Sequence, residues 1–145
     1  MLMKIQILIS KSSWAANYKD YLKKRLKKYS KNIKFLDNHN YLIKNYDINI
    51  IFSYFKLIPK KYLKRSRCNI IPHESDLPKG KGMSPLTWQI LENKKKIFFS
   101  LIEASEKIDE GLIYYKKKIK IKNNLLFSEI KKIQLIENIK LIENF

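Results

Sequence analysis

The chain has 145 residues, 45% hydrophobic and 12% aromatic, which is enough for one domain with a real core and too apolar for a disordered chain. Its formal charge of +18 suggests a nucleic-acid surface, yet only Arg25, Arg65 and Arg67 among 31 basic residues carry the forked guanidinium that specific phosphate and base recognition favours. The lysines are spread along the chain beside abundant Ile and Asn, so the charge reads as compositional bias and no nucleic-acid partner is expected.

Residues 4–9, KIQILI, form a short apolar run bounded by SKSS, which predicts a buried first strand. Trp14, Tyr18, Tyr21, Leu22, Leu26 and Tyr29 then recur at helical spacing, with Lys19, Lys23, Lys24, Lys27 and Lys28 opposite. That pattern predicts an amphipathic helix whose basic run is a solvated face. IKFL, 33–36, is a second strand, and the polar DNHN after it makes His39 a solvated loop residue. A short helical stretch from Tyr41 to Lys44 leads to INIIFSYF, 48–55, a continuous apolar run typical of a central parallel strand. Pro59 stops it, and KKYLKRSR carries the chain to the strand CNII.

Further on, Ser84 can cap a helix with Pro85 in its first turn and Trp88, Ile90 and Leu91 on its buried side. IFFSLI, 97–102, and LIYYKKKIKI, 112–121, are strands, and Leu126, Ile130, Ile133, Ile136 and Ile139 mark a helix over 125–145. This alternation predicts a three-layer α/β fold, a mostly parallel sheet flanked by helices, with residues 1–145 as a single domain. The one cysteine, Cys68, excludes an internal disulfide and a Cys-rich zinc site, and reads as a small core residue. No metal is expected. No apolar run approaches a membrane crossing, and IQILIS is too short for a signal-peptide core, so a soluble cytoplasmic protein is expected.

Function points to Asn69–Leu91. Two of the three glycines (Gly80, Gly82) and three of the four prolines (Pro72, Pro78, Pro85) fall there, which marks a closely shaped loop. His73, one of only two histidines, stands at its start. In open α/β sheets ligands bind beyond the carboxyl ends of the strands, where this loop, the SKSSW turn and the SYFKLI segment should converge.

HESDLPKGKGMSPLTWQIL resembles the signature of the folate-dependent formyltransferases, N-x-H-P-S-L-L-P-x-x-x-G followed by a helix and later a strand ending near D-x-G. His73 matches the histidine; Ser75, Leu77 and Pro78 match three positions of S-L-L-P, with Asp76 in place of the first Leu. In KIDEGLIY, Asp109 and Gly111 match the Asp-Gly motif, and the likeness extends weakly over about residues 4–121. SPLTWQILEN looks like the helix of the sugar-modifying branch.

The resemblance implies a formyltransferase-like, Rossmann-type fold and formyl transfer from 10-formyltetrahydrofolate to a primary amine. His73 would stabilise the formyl oxygen and Asp109 would favour the imidazolium and help move the amine proton. Phe55, Lys56, Leu57 and Ile58, with Asp109, would hold the donor. Ser12 and Ser13 could contact the acceptor, and Lys79 and Lys81 could steer a phosphorylated one or simply solvate the loop. The family places an Asn two residues before the histidine, where this chain has Ile71. Asn69 would serve only if a bulge near Pro72 brought it in; its other reading is an ordinary hydrogen bond at a strand start.

The domain looks shortened at its C-terminus, with no second domain of the kind used for tRNA. The expected acceptor is therefore a small amine, an amino sugar on a nucleotide carrier for surface glycan synthesis. The alternatives are another amine (a ribonucleotide intermediate or methionyl-tRNA) and a degenerate, non-catalytic domain that binds folate or RNA. The oligomeric state stays open.

Overall fold

The computed structural model describes residues 3–145. Its six strands lie in the order β2-β1-β3-β4-β5-β6. β1 (Lys4–Leu8) pairs in parallel with β2 (Asn32–Leu36) and β3 (Tyr46–Ile51), and β3 with β4 (Ser66–His73). β5 (Lys96–Glu103) and β6 (Ile113–Lys120) are added antiparallel. The expected α/β sheet, parallel with extra strands near the end, is what forms.

β1 is buried on both faces, so its one polar side chain must be satisfied internally. Gln6 does this through its amide: Oε1 accepts from the Ile43 N–H at 2.9 Å, and Nε2 donates to Ser66 Oγ at 2.8 Å. On one face of the sheet lie α1 (Lys19–Leu26), α3 (Pro85–Leu91) and α4 (Phe127–Glu143), over a core that includes Ile7, Leu22, Ile50, Phe99, Leu135 and Ile139. The other face carries only the short α2 (Lys60–Leu63) and a smaller cluster of Leu8, Leu42, Ile51, Ile58, Leu63 and Ala104. α1 and α4 are tied by Arg25, whose Nε donates to Glu143 Oε1 at 3.0 Å. Burial pushes the Glu143 carboxyl up, but the Arg25 hydrogen bonds outweigh it and hold the group below the usual range. Among the described residues no helix is long and apolar enough to cross a membrane.

Several local expectations change. The helix predicted from Trp14 opens as a 3-10 turn, Trp14–Tyr18, because Ser13 Oγ accepts from the Ala15 N–H at 3.0 Å and tightens the entry. The helical stretch at 41–44 is instead a 3-10 turn over His39–Tyr41. β3 stops at Ile51 and not Phe55, since Ser53 turns the chain with φ +53°. Ser84 makes no capping bond; it sits at φ +53° and Pro85 alone sets the helix entry.

α3 is also rotated from the predicted face. Trp88 and Leu91 are 60% and 69% exposed, and Gln89 is buried in their place. The cause is polar. Gln89 Oε1 accepts from the Phe98 N–H at 2.9 Å and its Nε2 donates to the Phe98 carbonyl at 3.1 Å, so it serves as a ladder partner for β5. Cys68 is only half-buried, although burial still pushes its thiol pKa up.

Gly111 is set by contact and not by dihedral: an added Cβ would lie 1.7 Å from the Glu103 carbonyl oxygen. Backbone occupies that space and cannot step aside. Gly111→Ala should therefore cost about 3 kcal/mol, the upper end of overpacking, measured as a drop in urea midpoint at constant m-value. Wild-type stability in this variant would show that the 103–112 turn is loose.

Candidate active site

β4 delivers His73 to the carboxyl end of the sheet, and the loop behind it folds back onto the imidazole. His73 Nε2 lies 3.0 Å from the Gly80 carbonyl and 3.5 Å from Asp109 Oδ2. Both neighbours are acceptors, so Nε2 carries the hydrogen. Asp109 Oδ2 also accepts from the Gly82 N–H at 2.8 Å. The loop is thus stitched to both members of the pair. Gly80 has φ +75°, and a Cβ there would sit 2.9 Å from Ser75 Cβ, so a side chain is excluded twice.

The pair sits on a cavity of about 300 Å³. Phe55, Lys56, Leu57 and Ile58 line it, as do His73 and Asp109. These are the residues expected at the donor side, and the structure brings all six together. The Phe55 N–H donates to Ser10 Oγ at 3.0 Å, which joins the 53–58 segment to the turn after β1. Leu57 is exposed and Ile58 buried, so the wall offers both peptide groups and apolar surface.

Other expected residues lie elsewhere. Asn69 is not brought in: its Oδ1 accepts from Asn49 Nδ2 at 3.0 Å, and its Nδ2 donates to the Leu63 carbonyl at 2.9 Å. The bulge that would have moved it is absent, because β4 pairs with β5 without interruption from Ile70 to His73. Ile71 lines the cavity, so the position two before His73 faces the site but offers no donor. Ser13 is spent on its turn, Ser12 and Lys79 are exposed, and Lys81 Nζ is 3.1 Å from Glu110 Oε1; none of the four lines the cavity. Lys81, ahead of Lys107, holds the Glu110 carboxyl below its usual range.

Some lining residues carried no signal in the sequence. Lys131 and Gln134 come from α4, more than 50 positions after His73 in the chain, and only the crossing of α4 over β4 brings them close. Trp14, read as either an acceptor contact or a core residue, lines the cavity and packs on Phe52. His39 is not a free loop residue: its Nδ1 lies 2.8 Å from the hydroxyl of Tyr54, a cavity residue, and its ring packs on Tyr62. Among the described residues no cluster of His, Cys, Asp and Glu could hold a metal ion.

An open α/β sheet with a histidine–aspartate pair at a cleft beyond its strand ends defines a Rossmann-type ligand-binding domain. The family model described as "Formyl transferase" matches residues 3–142. The methionyl-tRNA formyltransferase of Pelagibacter ubique is 33% identical over 100 residues, which cover 68% of this chain and 32% of that protein. The solved methionyl-tRNA formyltransferase from Clostridium thermocellum matches with a TM-score of 0.67 at 29% identity, covering 83% of this chain and 55% of that one. PseJ from Anoxybacillus kamchatkensis is a formyltransferase solved with UDP-4,6-dideoxy-4-formamido-L-AltNAc and tetrahydrofolate. It matches with a TM-score of 0.69 at 20% identity, over 96% of this chain and 71% of that one, a likeness of fold alone. The chain belongs to the formyl transferase family. It spans about a third of the length of the first relative and just over half of the second.

Burial, then the charges of Lys56 and Lys61, push His39 below its ordinary 6.5. Between the folded and unfolded values the unfolded chain binds more protons, so stability is full above the unfolded value and falls as pH drops through this window. Thermal midpoints from about pH 7.5 to about pH 5 should fall less steeply in His39→Asn than in wild type. Equal slopes would mean that the imidazole is solvated after all.

Proposed function

We propose that this chain, acting as a single catalytic domain over 1–145, transfers the formyl group of 10-formyltetrahydrofolate to a primary amine. The observation that carries this is the meeting of the His73–Asp109 pair and the Phe55–Ile58 segment at one cleft. The residues fit a folate: peptide groups of 55–58 would bond the pterin edge, while Leu57, Ile58 and Ile71 offer apolar wall. A cleft of about 300 Å³ is at the lower end for a bound small molecule, with the exposed rim free to hold the rest. When bound, the folate supplies an electrophilic formyl carbon.

His73 Nε2–H donates to the oxygen on which charge builds as the amine attacks. Asp109 stabilises the positive imidazole and takes the proton that the amine sheds as its new C–N bond forms. Collapse breaks the carbon–nitrogen bond to the folate, which leaves as tetrahydrofolate with that proton. Ile71 offers no second donor, so the oxygen depends on His73 more heavily than in a site with the family Asn.

Two acceptors have support. The relatives above 30% identity are named methionyl-tRNA formyltransferases, which favours an aminoacyl-tRNA amine. The likeness to PseJ, solved with a nucleotide-linked formamido sugar, supports the amino sugar inferred from the sequence, though at 20% identity. We take methionyl-tRNA as the first acceptor to assay and nucleotide-linked amino sugars as the second.

His73→Ala should lower kcat by about 10²–10³-fold or more while donor affinity changes little. Asp109→Asn keeps an acceptor for the Gly82 N–H, and should also lower kcat by at least about 10²-fold at near-constant donor affinity. Turnover retained in His73→Ala removes His73 from the reaction; an unchanged rate in Asp109→Asn makes that residue a support for the loop.

A further inference from the structure

The cleft carries a second group of polar side chains that the His73–Asp109 pair does not use. Successive strand residues point to opposite faces, so Ile71 and His73 look towards the α2 side, and Glu74 looks towards α4. There Glu74 Oε1 accepts from Gln134 Nε2 at 2.8 Å and from Asn138 Nδ2 at 2.5 Å. Gln134 in turn accepts at Oε1 from Lys131 Nζ at 2.9 Å. Lys131 lies 4.9 Å from the centre of the Trp14 ring and 5.3 Å from that of Phe127. The cleft therefore straddles the edge of the sheet, with Phe55–Ile58 on one side and Trp14, Glu74, Lys131 and Gln134 on the other.

Lys131 is half-buried in this second lobe, and among the described residues it forms no ion pair. Burial lowers its pKa, and the charge of Glu74 opposes that in part. Other lysines of this surface are neutralised: Lys81 by Glu110, Lys116 by Asp76, and Lys117 and Lys140 by Glu137. An ammonium held by two rings and one amide, facing a cleft, is desolvated without a counter-charge, which is unfavourable unless an anion enters from outside. The rings and the amide also fix its position, as a binding group requires.

We propose that the α4 lobe is the acceptor half of the cleft, and that Lys131 binds an anionic group, phosphate or carboxylate, carried by the acceptor amine. Gln134 and Trp14 are positioning residues that hold the Lys131 ammonium. The assignment rests on the formyl-transfer reading, which makes the 53–58 side the donor half. His73, on the rim between the lobes, then meets an amine anchored on one side and a formyl donor lodged on the other.

The test uses three small probes that share an amine and differ in charge: 2-aminoethyl phosphate, β-alanine and ethanolamine. Each is titrated calorimetrically into wild type, Lys131→Met and Lys131→Arg, with Lys131→Gln as a second neutral variant should the Met protein fold poorly. A separate titration of a non-transferable 10-formyltetrahydrofolate analogue reports on the donor half. Wild type should bind one or both anionic probes about tenfold tighter than ethanolamine, and the better of the two distinguishes phosphate from carboxylate. Neutralising Lys131 should abolish that preference, and Lys131→Arg should keep it, with analogue affinity unchanged throughout. Equal affinity for all three probes, no binding of either anionic probe at tens of millimolar, or a preference that survives Lys131→Met would overturn the assignment. Failure of the analogue alone, with the anion preference intact, would sink the donor reading and leave the Lys131 anion site standing.

Discussion

The site depends on one hydrogen-bonded knot. His73 Nε2–H points between the Gly80 carbonyl and the Asp109 carboxylate, and the same carboxylate holds the Gly82 N–H. Each contact constrains two chain segments far apart in sequence, the 73–84 loop and the 104–112 turn. Both histidine and aspartate are largely buried, so the bonds act in a medium where they are stronger than in water. The glycine at 80 is the condition for it, because any side chain there would meet Ser75 and lift the carbonyl from the imidazole.

Around that knot the sheet divides the labour. One face ends in the 53–58 segment, the other in α4 and Trp14, and the edge between them carries the titratable pair. Position 71 faces the cleft with an aliphatic side chain, and Asn69 below it is committed to Asn49 and Leu63. The polar work of the site is concentrated on His73 and Asp109, with Lys131 as the charged group of the far lobe.

The alternation of elements was legible because apolar runs and helical stripes follow simple periods, and here they did so from Lys4 to Glu143. His73, Asp109 and residues 55–58 were legible because a motif and a strand order placed them at one sheet edge. Gln89 was misread because a buried amide can replace a ladder partner, a role that no hydrophobic pattern displays. Asn69 was overvalued for a related reason: strand alternation gave its face but not the carbonyl and amide waiting beside it. Lys131 and Gln134 left no trace, since a lysine and a glutamine on an amphipathic helix look like solvated residues until the helix crosses a cleft. Arguments from the end of the chain carried no weight once its relatives proved to be longer proteins matched over part of their length.

The most direct measurement is the affinity of purified protein for a 10-formyltetrahydrofolate analogue in which carbon replaces the transferable nitrogen linkage, with Leu57→Asp beside wild type. Leu57 lies on the donor wall away from the His73 knot, and it is exposed enough to accept a charge without unfolding the chain. The account predicts saturable binding by wild type, weakened by about tenfold or more in Leu57→Asp as the carboxylate repels the apolar ring. Absence of binding at millimolar analogue, or equal binding by both proteins, would contradict a donor site on the 53–58 segment.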